Sequence, residues 1–398
     1  MWEKFFLVAK TSLAASVSFQ EPWKLTLAER LGQLTPGTTR VGYFYEVSDP
    51  GSFRYRAYNM AQTLNALSDT YSASYFFLSD IPLVEDFSDY IDVLVLVRFR
   101  FGGSLGRMVD QFRAAGKPVA FDIDDLIFDS RHTPMVASTL NFGLEPGLVL
   151  DNWFALTSRL GATLELCDAA LTTTPTLATE ISKVSSLKAY VVPNFLNDEQ
   201  IVASASAAAT QEAGVQKASD TFTIGYFSGS KSHARDFAVA APALSEFLAR
   251  HANARLTIAG ILDVPGELVH QHHQIHRLPF MDYLSLQSAV AQVDLNIVPL
   301  QLNVFTDSKS ELKFFEAAAV NTPTLASPTE VYRRVIEDGT TGWLTAHDGW
   351  LEALERIISL EGGQRANVST NARNTVMETY TGTAQLSTIS LALEGIAS

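Results

Sequence analysis

The run from Asp307 to Ser327, DSKSELKFFEAAAVNTPTLAS, gathers two lysines and several carboxylates into a few residues. It reads as a short polar loop, a helix, a tight stop and a buried strand. Ser310 is the expected N-cap, with Glu311 favourable in the first turn. Lys309, Lys313 and Glu316 recur at intervals of four and three and so share one helix face, with Leu312, Phe315 and Ala319 on the core side. Asn321 suits a left-handed stop, and Pro323 prevents continuation. Free backbone N–H groups at a helix start, joined by lysines, form a dock for a phosphate. The plainer alternative is a solvated charged face with one ion pair.

Three further runs carry groups of the same kind. Residues 227–237, FSGSKSHARDF, follow a strand; Gly229 allows close backbone approach, while Ser230, Lys231, His233 and Arg235 offer donors. This loop and the start at Ser310 are expected to converge over one pocket, against the alternative of a loop that only caps the next helix. Residues 121–129, FDIDDLIFD, close a strand, so Asp124 and Asp125 should emerge at its C-terminal end. Such a string invites a divalent metal, whereas Asp129 also suits a cap. Residues 49–56, DPGSFRYR, form a pocket-edge loop at Gly51, where Arg54 and Arg56 could read an acceptor and Tyr55 or Tyr58 could stack on it. Arg98 and Arg100, at the end of an apolar strand, are candidates for the same task. His272, His273 and His276 lie in a polar connection without acidic or cysteine partners and read as a solvated turn, so no metal site is expected there.

The elements that must position these groups alternate. Apolar strands are expected at 41–47, 92–98, 118–122, 169–173 and 190–192, with helices over 54–67, 105–115 and 150–166 between them. A composition shift at 198–220, rich in Ala, Ser, Gln and Glu, marks an inter-domain connection that is partly helical. A second block then alternates strands at 223–227, 255–259 and 295–299 with helices at 237–250 and 283–293, and closes through 331–336, 342–344 and 350–360. Continuous apolar strands separated by helices imply parallel sheets covered on both faces, and ligands at the strand ends of a cleft. No Gly-x-Gly-x-x-Gly follows the first strand and no Walker A sequence occurs, which argues against a dinucleotide dehydrogenase and a P-loop phosphotransferase.

Length and charge bound the partners. The 398 residues suffice for two domains with separate cores. A net charge of −14 makes general nucleic-acid affinity unexpected, so an anionic ligand needs a local cationic pocket. Cys167, the one cysteine, sits in an apolar helical context and reads as a buried thiol, which fits a reducing compartment. The stretch from Phe5 to Phe19 is too short and too interrupted by Lys10 to span a bilayer; it reads as an amphipathic helix that covers the core or rests on a membrane surface.

The second block resembles the donor-binding half of family-4-type retaining glycosyltransferases, glycosyl transferases group 1, which have two facing Rossmann-like domains (the GT-B fold). The resemblance rests on 224–230 (IGYFSGS), 256–260 (LTIAG), 310–327 and 336–344 (IEDGTTGWL) in this order, with 192–194 (VPN) resembling the family's entry to the linker. It implies an α/β fold of two doubly wound parallel-sheet domains facing across a cleft. Residues 1–196, joined by a C-terminal helix 381–398, would form the acceptor-side domain and 197–380 the nucleotide-sugar domain. It implies that Glu316 holds the ribose, while the family's first glutamate falls at Ser308, with Asp307 or Glu311 as replacements. It further implies that Lys231 or Arg235, with Lys313, neutralises the donor diphosphate, and that Asp124 and Asp125 stand where relatives carry His-Asp.

The expected activity is therefore transfer of a sugar, with retention, from a nucleotide-diphosphate sugar to a glycan or lipid-linked acceptor in surface polysaccharide synthesis. Catalytic positions are Asp124, Asp125, Lys313 and Glu316; donor positions are Gly229, Ser230, Lys231, His233, Arg235, Lys309, Ser310 and Glu311; acceptor positions are Gly51, Arg54, Arg56 and Arg98. No cofactor or metal is expected, and the location is cytoplasmic, with peripheral membrane contact through residues 1–19. The competing readings are a non-catalytic module with the same fold, a nucleotide-sugar epimerase and a glycoside phosphorylase.

Overall fold

Strands that are apolar at every position need cover on both faces. Val93–Val97 reads VLVLV and is buried along its length. The computed structural model, whose described residues are 19–212, 221–229 and 233–398, meets this demand with two parallel six-stranded sheets. The first runs β2-β1-β3-β4-β5-β6, from β1 (Thr39–Tyr45), β2 (Tyr71–Phe77), β3 (Val93–Val97), β4 (Val119–Ile123), β5 (Ala169–Thr172) and β6 (Lys188–Val191). The second runs β12-β11-β10-β7-β8-β9, from β7 (Phe222–Ser228), β8 (Ala254–Gly260), β9 (Ile275–Leu278), β10 (Leu295–Val298), β11 (Thr324–Ala326) and β12 (Trp343–Leu344).

Strand order reverses between β1 and β3 in one sheet and between β7 and β10 in the other. At such switch points adjacent crossovers leave on opposite faces and open a crevice at the C-terminal strand ends. The loops leaving β1, β3, β7 and β10 are the runs beginning near Glu46, Arg98, Gly229 and Gln301. Most of the chemically promising residues sit in or beside these four loops.

Differences from expectation have local causes. Strand β2 was not anticipated, because serines interrupt YSASYFF; Ser72 and Ser74 are buried and bonded to Thr35, Thr38 and Gln33. The helix expected from residue 54 opens as a π-helical turn, Arg54–Tyr58, before the α-helix Asn59–Leu67. The connection after β6 is the helix Asp198–Glu212.

An apolar seam joins the domains. Phe305, from the short helix Val304–Asp307, joins the buried first-domain cluster that includes Phe99, Leu126, Ile127 and Phe128. Phe314 and Phe315 share a cluster with Trp23, Tyr55 and Tyr58. Fully burying each such ring contributes about 1.5–3 kcal/mol, against about 0–1 kcal/mol for an exposed ion pair, so the seam rather than surface charge holds the closed arrangement. The C-terminal helix Gly382–Ala397 returns to the first domain, where Tyr190 donates to the Gly395 carbonyl at 2.6 Å. Phe19 meets Tyr283 edge to face at 5.4 Å; the remainder of the expected N-terminal helix lies outside the described residues.

Arg56 corrects one expectation. It was assigned to the acceptor but is fully buried, bonded through Nε and Nη2 to both Asp122 oxygens at 2.9 Å and through Nη1 to the Val192 carbonyl at 2.6 Å. Its fork pins β4 to the entry of the linker, and the closing strand Asp122 holds it there. Removing one partner strands a buried charge, at a cost of about 3–5 kcal/mol. Arg56→Ala is therefore expected to lower the urea midpoint and melting temperature strongly, and Arg56→Met/Asp122→Leu to cost less than the single variant. Equal melting of Arg56→Ala and wild type would contradict this role.

Candidate active site

The helix that carries Lys313 and Glu316 begins at Leu312 rather than at Ser310 and ends at Ala319, so Lys309 precedes it instead of sharing its face as expected. Ser310 is not its cap: Glu311 holds that position with φ −77° and ψ 28°, and its side chain makes no capping bond. The preceding turn, capped by Asn303, already accepts the Ser308 N–H at the Val304 carbonyl, so the chain must break before the helix starts afresh. Glu311 is buried, and its Oε1 accepts the Tyr380 hydroxyl at 2.6 Å, so it faces the core and not a donor. The helix stops at Asn321, whose φ of 60° is the left-handed value read from the sequence.

On the second-domain side, Lys309 Nζ lies 3.6 Å from Asp125 Oδ1 and 4.4 Å from the Phe305 ring centre. Lys313 Nζ sits 4.5 Å over the Tyr226 ring at the end of β7. His233 Nδ1 is 3.4 Å from Asp236 Oδ2, while Oδ1 of the same carboxylate accepts the Gln301 side chain at 3.0 Å and its backbone N–H at 3.2 Å. Gly229 leads out of β7; Ser230 and Lys231 lie outside the described residues. Arg235 was expected on the donor and instead reaches the first domain, donating to Ser138 Oγ at 2.8 Å and Asn141 Oδ1 at 3.2 Å. The neighbouring Gln301 and Asn303 side chains bond the Thr139 carbonyl and hydroxyl, each at 3.1 Å, so Arg235 belongs to a polar clasp between domains.

On the facing side, Arg98 takes φ 46°, a left-handed value that is rare outside glycine. That turn aims its guanidinium back over the strand ends. Nη1 donates to Ser52 Oγ at 2.6 Å, Asp124 Oδ1 at 3.0 Å and Asp125 Oδ2 at 3.3 Å. Asp49 Oδ1 accepts the Gly51 and Phe53 N–H groups at 2.7 and 3.3 Å, which shapes the loop before Arg54. Arg100 is chelated by Glu46, and Asp129 accepts the Arg131 N–H at 2.9 Å as a cap. Arg54 lies between the Tyr55 and Tyr283 rings at 4.1 and 4.3 Å, with Nη2 3.4 Å from Glu316 Oε1. The arginines expected to read an anionic acceptor are thus each engaged with a carboxylate of this chain.

Glu316 closes the arrangement from the middle of its helix. Its Oε1 accepts the Tyr55 hydroxyl at 2.5 Å and the Gln200 amide at 3.3 Å. Ser308, where the resemblance places a first glutamate, is fully buried; its hydroxyl donates to the Val304 carbonyl at 2.7 Å and its own carbonyl accepts Thr174 at 3.2 Å. The proposed replacements are engaged elsewhere, Asp307 with the Glu330 N–H at 2.9 Å and Glu311 with Tyr380.

The electrostatics follow from crowding. Burial lowers the Lys313 ammonium to about 8; Asp236 and Glu316 oppose that and Lys309 adds to it. Burial pushes the His233 imidazole down, against its bond to Asp236 and together with Lys313 and Lys309. Burial raises the cost of charge on Asp125, but Lys309 and Arg98 outweigh it and hold its carboxyl below the ordinary range. A second anion placed between Lys309 and Lys313 would relieve the repulsion between them. Among the described residues, no three His, Cys, Asp or Glu side chains gather as a metal-holding group, and His272 and His273 stand in the 3₁₀ segment Gly266–Gln274. No helix among them is long and apolar enough to cross a membrane.

Tyr226, Asp236, Gln301, Ser52 and Gln200 were not assigned from sequence. Asp236 and Tyr226 flank the 227–235 run, and the signal available was Tyr226 near the end of β7 and Asp236 in the first turn of the helix that follows.

Two parallel α/β domains with their strand ends meeting at an inter-domain site define the GT-B fold. Residues 221–360 match the family Glycosyl transferases group 1. Solved structures with the same fold include Anabaena Alr3699/HepE in complex with UDP and glucose (13% identity, TM-score 0.61, covering 90% of this chain and 100% of that one). Sucrose-phosphate synthase from Thermosynechococcus elongatus (14%, 0.59, 90% and 98%) and the trehalose-6-phosphate synthase OtsA (11%, 0.55, 90% and 98%) are similar as well. No curated protein sequence matches the chain.

Lys313 should titrate well below an ordinary lysine. In a ¹³C-lysine NMR titration, the resonance missing from Lys313→Arg is expected to move with a midpoint of about 8. Lys309→Gln should raise that midpoint. A midpoint in the ordinary lysine range of about 10.4 would show that the amine is solvated.

Proposed function

We propose that the chain transfers a sugar from a nucleoside-diphosphate donor to a hydroxyl of a glycan or lipid-linked acceptor, with retention at the anomeric carbon. The observation that carries this reading is the placement of Lys309 3.6 Å from Asp125 across the domain boundary, with Lys313 over the Tyr226 ring of β7. The donor diphosphate would lie between the two lysines, the Gly229 turn and His233. Charge that develops on the departing diphosphate would meet fixed cations, and the acceptor would be held in place by the opposite domain. Asp124 is the first-domain group assigned nearest the reacting carbon, and Glu316 is assigned to the ribose. UDP and UDP-glucose in the HepE structures support a nucleotide sugar as donor. The two lysines would perform the neutralisation that a metal performs elsewhere, so EDTA should leave turnover unchanged. The acceptor and any membrane contact through residues 1–19 extend this reading.

A thermal-shift panel of UDP, GDP, dTDP and CMP tests it, since a ligand that binds only the folded state raises the melting temperature. One nucleoside diphosphate should stabilise wild type, with the effect lost in Lys313→Ala. No shift with any of them would end the proposal. Binding should be flat with pH between 7 and 7.5 and weaken above about 8, as Lys313 loses its proton. The loss should approach tenfold per pH unit, the limit for one linked proton, and vanish in Lys313→Arg.

A further inference from the structure

The glutamate assigned to the ribose is oriented from the other domain. Tyr55 donates its hydroxyl to Glu316 Oε1 at 2.5 Å, and Gln200 adds its amide at 3.3 Å. Arg54 approaches the same oxygen at 3.4 Å. Oε2 takes part in none of these bonds, and the Glu316 side chain retains 13% exposure. One oxygen is therefore anchored, which leaves the other for a ligand. The anchor itself is rigid: Tyr55 is 2% exposed, meets the Phe315 ring edge to face at 6.0 Å and lies under the Arg54 guanidinium at 4.1 Å. Arg54 and Gln200 are both buried, and each leaves a polar atom, Nη1 and Oε1 respectively, without a hydrogen-bond partner. Their unsatisfied ends show that packing alone does not account for polar groups at this place; what they do make is a contact with Glu316.

We infer that Tyr55 is a positioning residue that fixes the nucleotide-binding carboxylate only when the two domains are shut. This rests on the reading of Glu316 as the ribose ligand. Tyr55 comes from the first domain, whereas the helix Asp198–Glu212 that carries Gln200 packs on the second domain's helices, so opening the cleft removes the Tyr55 hydroxyl and loosens the carboxylate's anchor. A ribose hydroxyl bonded to Oε2 would then be gripped in the closed arrangement and released in the open one. The grip would report closure to the donor site without any contact between Tyr55 and the ligand.

The test compares UDP with 2′-deoxy-UDP, or the GDP pair if GDP is the nucleotide that stabilises the protein. Calorimetry gives the ratio of their dissociation constants in wild type, Tyr55→Phe and Glu316→Ala. Tyr55→Phe keeps the ring on Phe315, and its melting temperature confirms the fold. Wild type should prefer the ribonucleotide about tenfold, the worth of one hydrogen bond to a charged acceptor, and Tyr55→Phe should reduce that to about twofold. The variant should bind 2′-deoxy-UDP as tightly as wild type does. A Tyr55→Phe ratio equal to that of wild type overturns the inference alone. A ratio unchanged in Glu316→Ala overturns the ribose assignment and the inference with it. Wild type that binds neither nucleotide overturns the proposed activity as well.

Discussion

Burial of Phe305, Phe314 and Phe315 against the first domain is the constraint from which the site follows. These rings bracket Lys309 and Lys313 in sequence, so wherever they pack the lysines must go. Once Phe305 enters the cluster formed by Phe99 and residues 126–128, Lys309 is brought to within 3.6 Å of Asp125. The apolar seam supplies the energy, and the ion pair supplies the register. The reverse assignment would not work, because one partly exposed ion pair is too weak to hold two domains.

The same packing explains why cations gather in an acidic chain. The lysine helix has no cap of its own, and Lys313 lies over a tyrosine face instead of in water. Desolvation and the repulsion of Lys309 are unfavourable terms that Asp236 offsets only in part. Negative charge beside the two lysines is the counterweight that such crowding calls for. Asp125 supplies a single carboxylate in that role, and it does so from the opposite domain.

The fold was legible because central strands such as β3, VLVLV, are continuous apolar runs, whereas β2, YSASYFF, and β9, IHRL, carry polar residues and were not read. Lys309, Lys313, Glu316, Asp124 and Asp125 were singled out by type and spacing, and the structure brings Lys309 to Asp125; Asn321 was read from the stop it makes. What sequence could not show is which polar side chains engage one another across a long chain. Arg56 and Asp122 are 66 residues apart, and nothing local distinguishes a buried fork from an exposed arginine on a helix. Arg235 likewise stands among donors that face the lysines, yet its reach to Ser138 depends on where the other domain lies. Tyr55 was visible as an aromatic at a pocket edge; its bond to Glu316 spans 261 residues and exists only through the seam.

Ser308 shows how closely the seam and the site are bound together. Its side chain is fully buried beneath the first domain, and its carbonyl accepts the Thr174 hydroxyl. A glutamate there would place a charge beside Phe305, in a space with one donor nearby, and the desolvation would oppose closure. A buried serine instead turns its hydroxyl back on its own helical turn at Val304 and lets the segment tuck in.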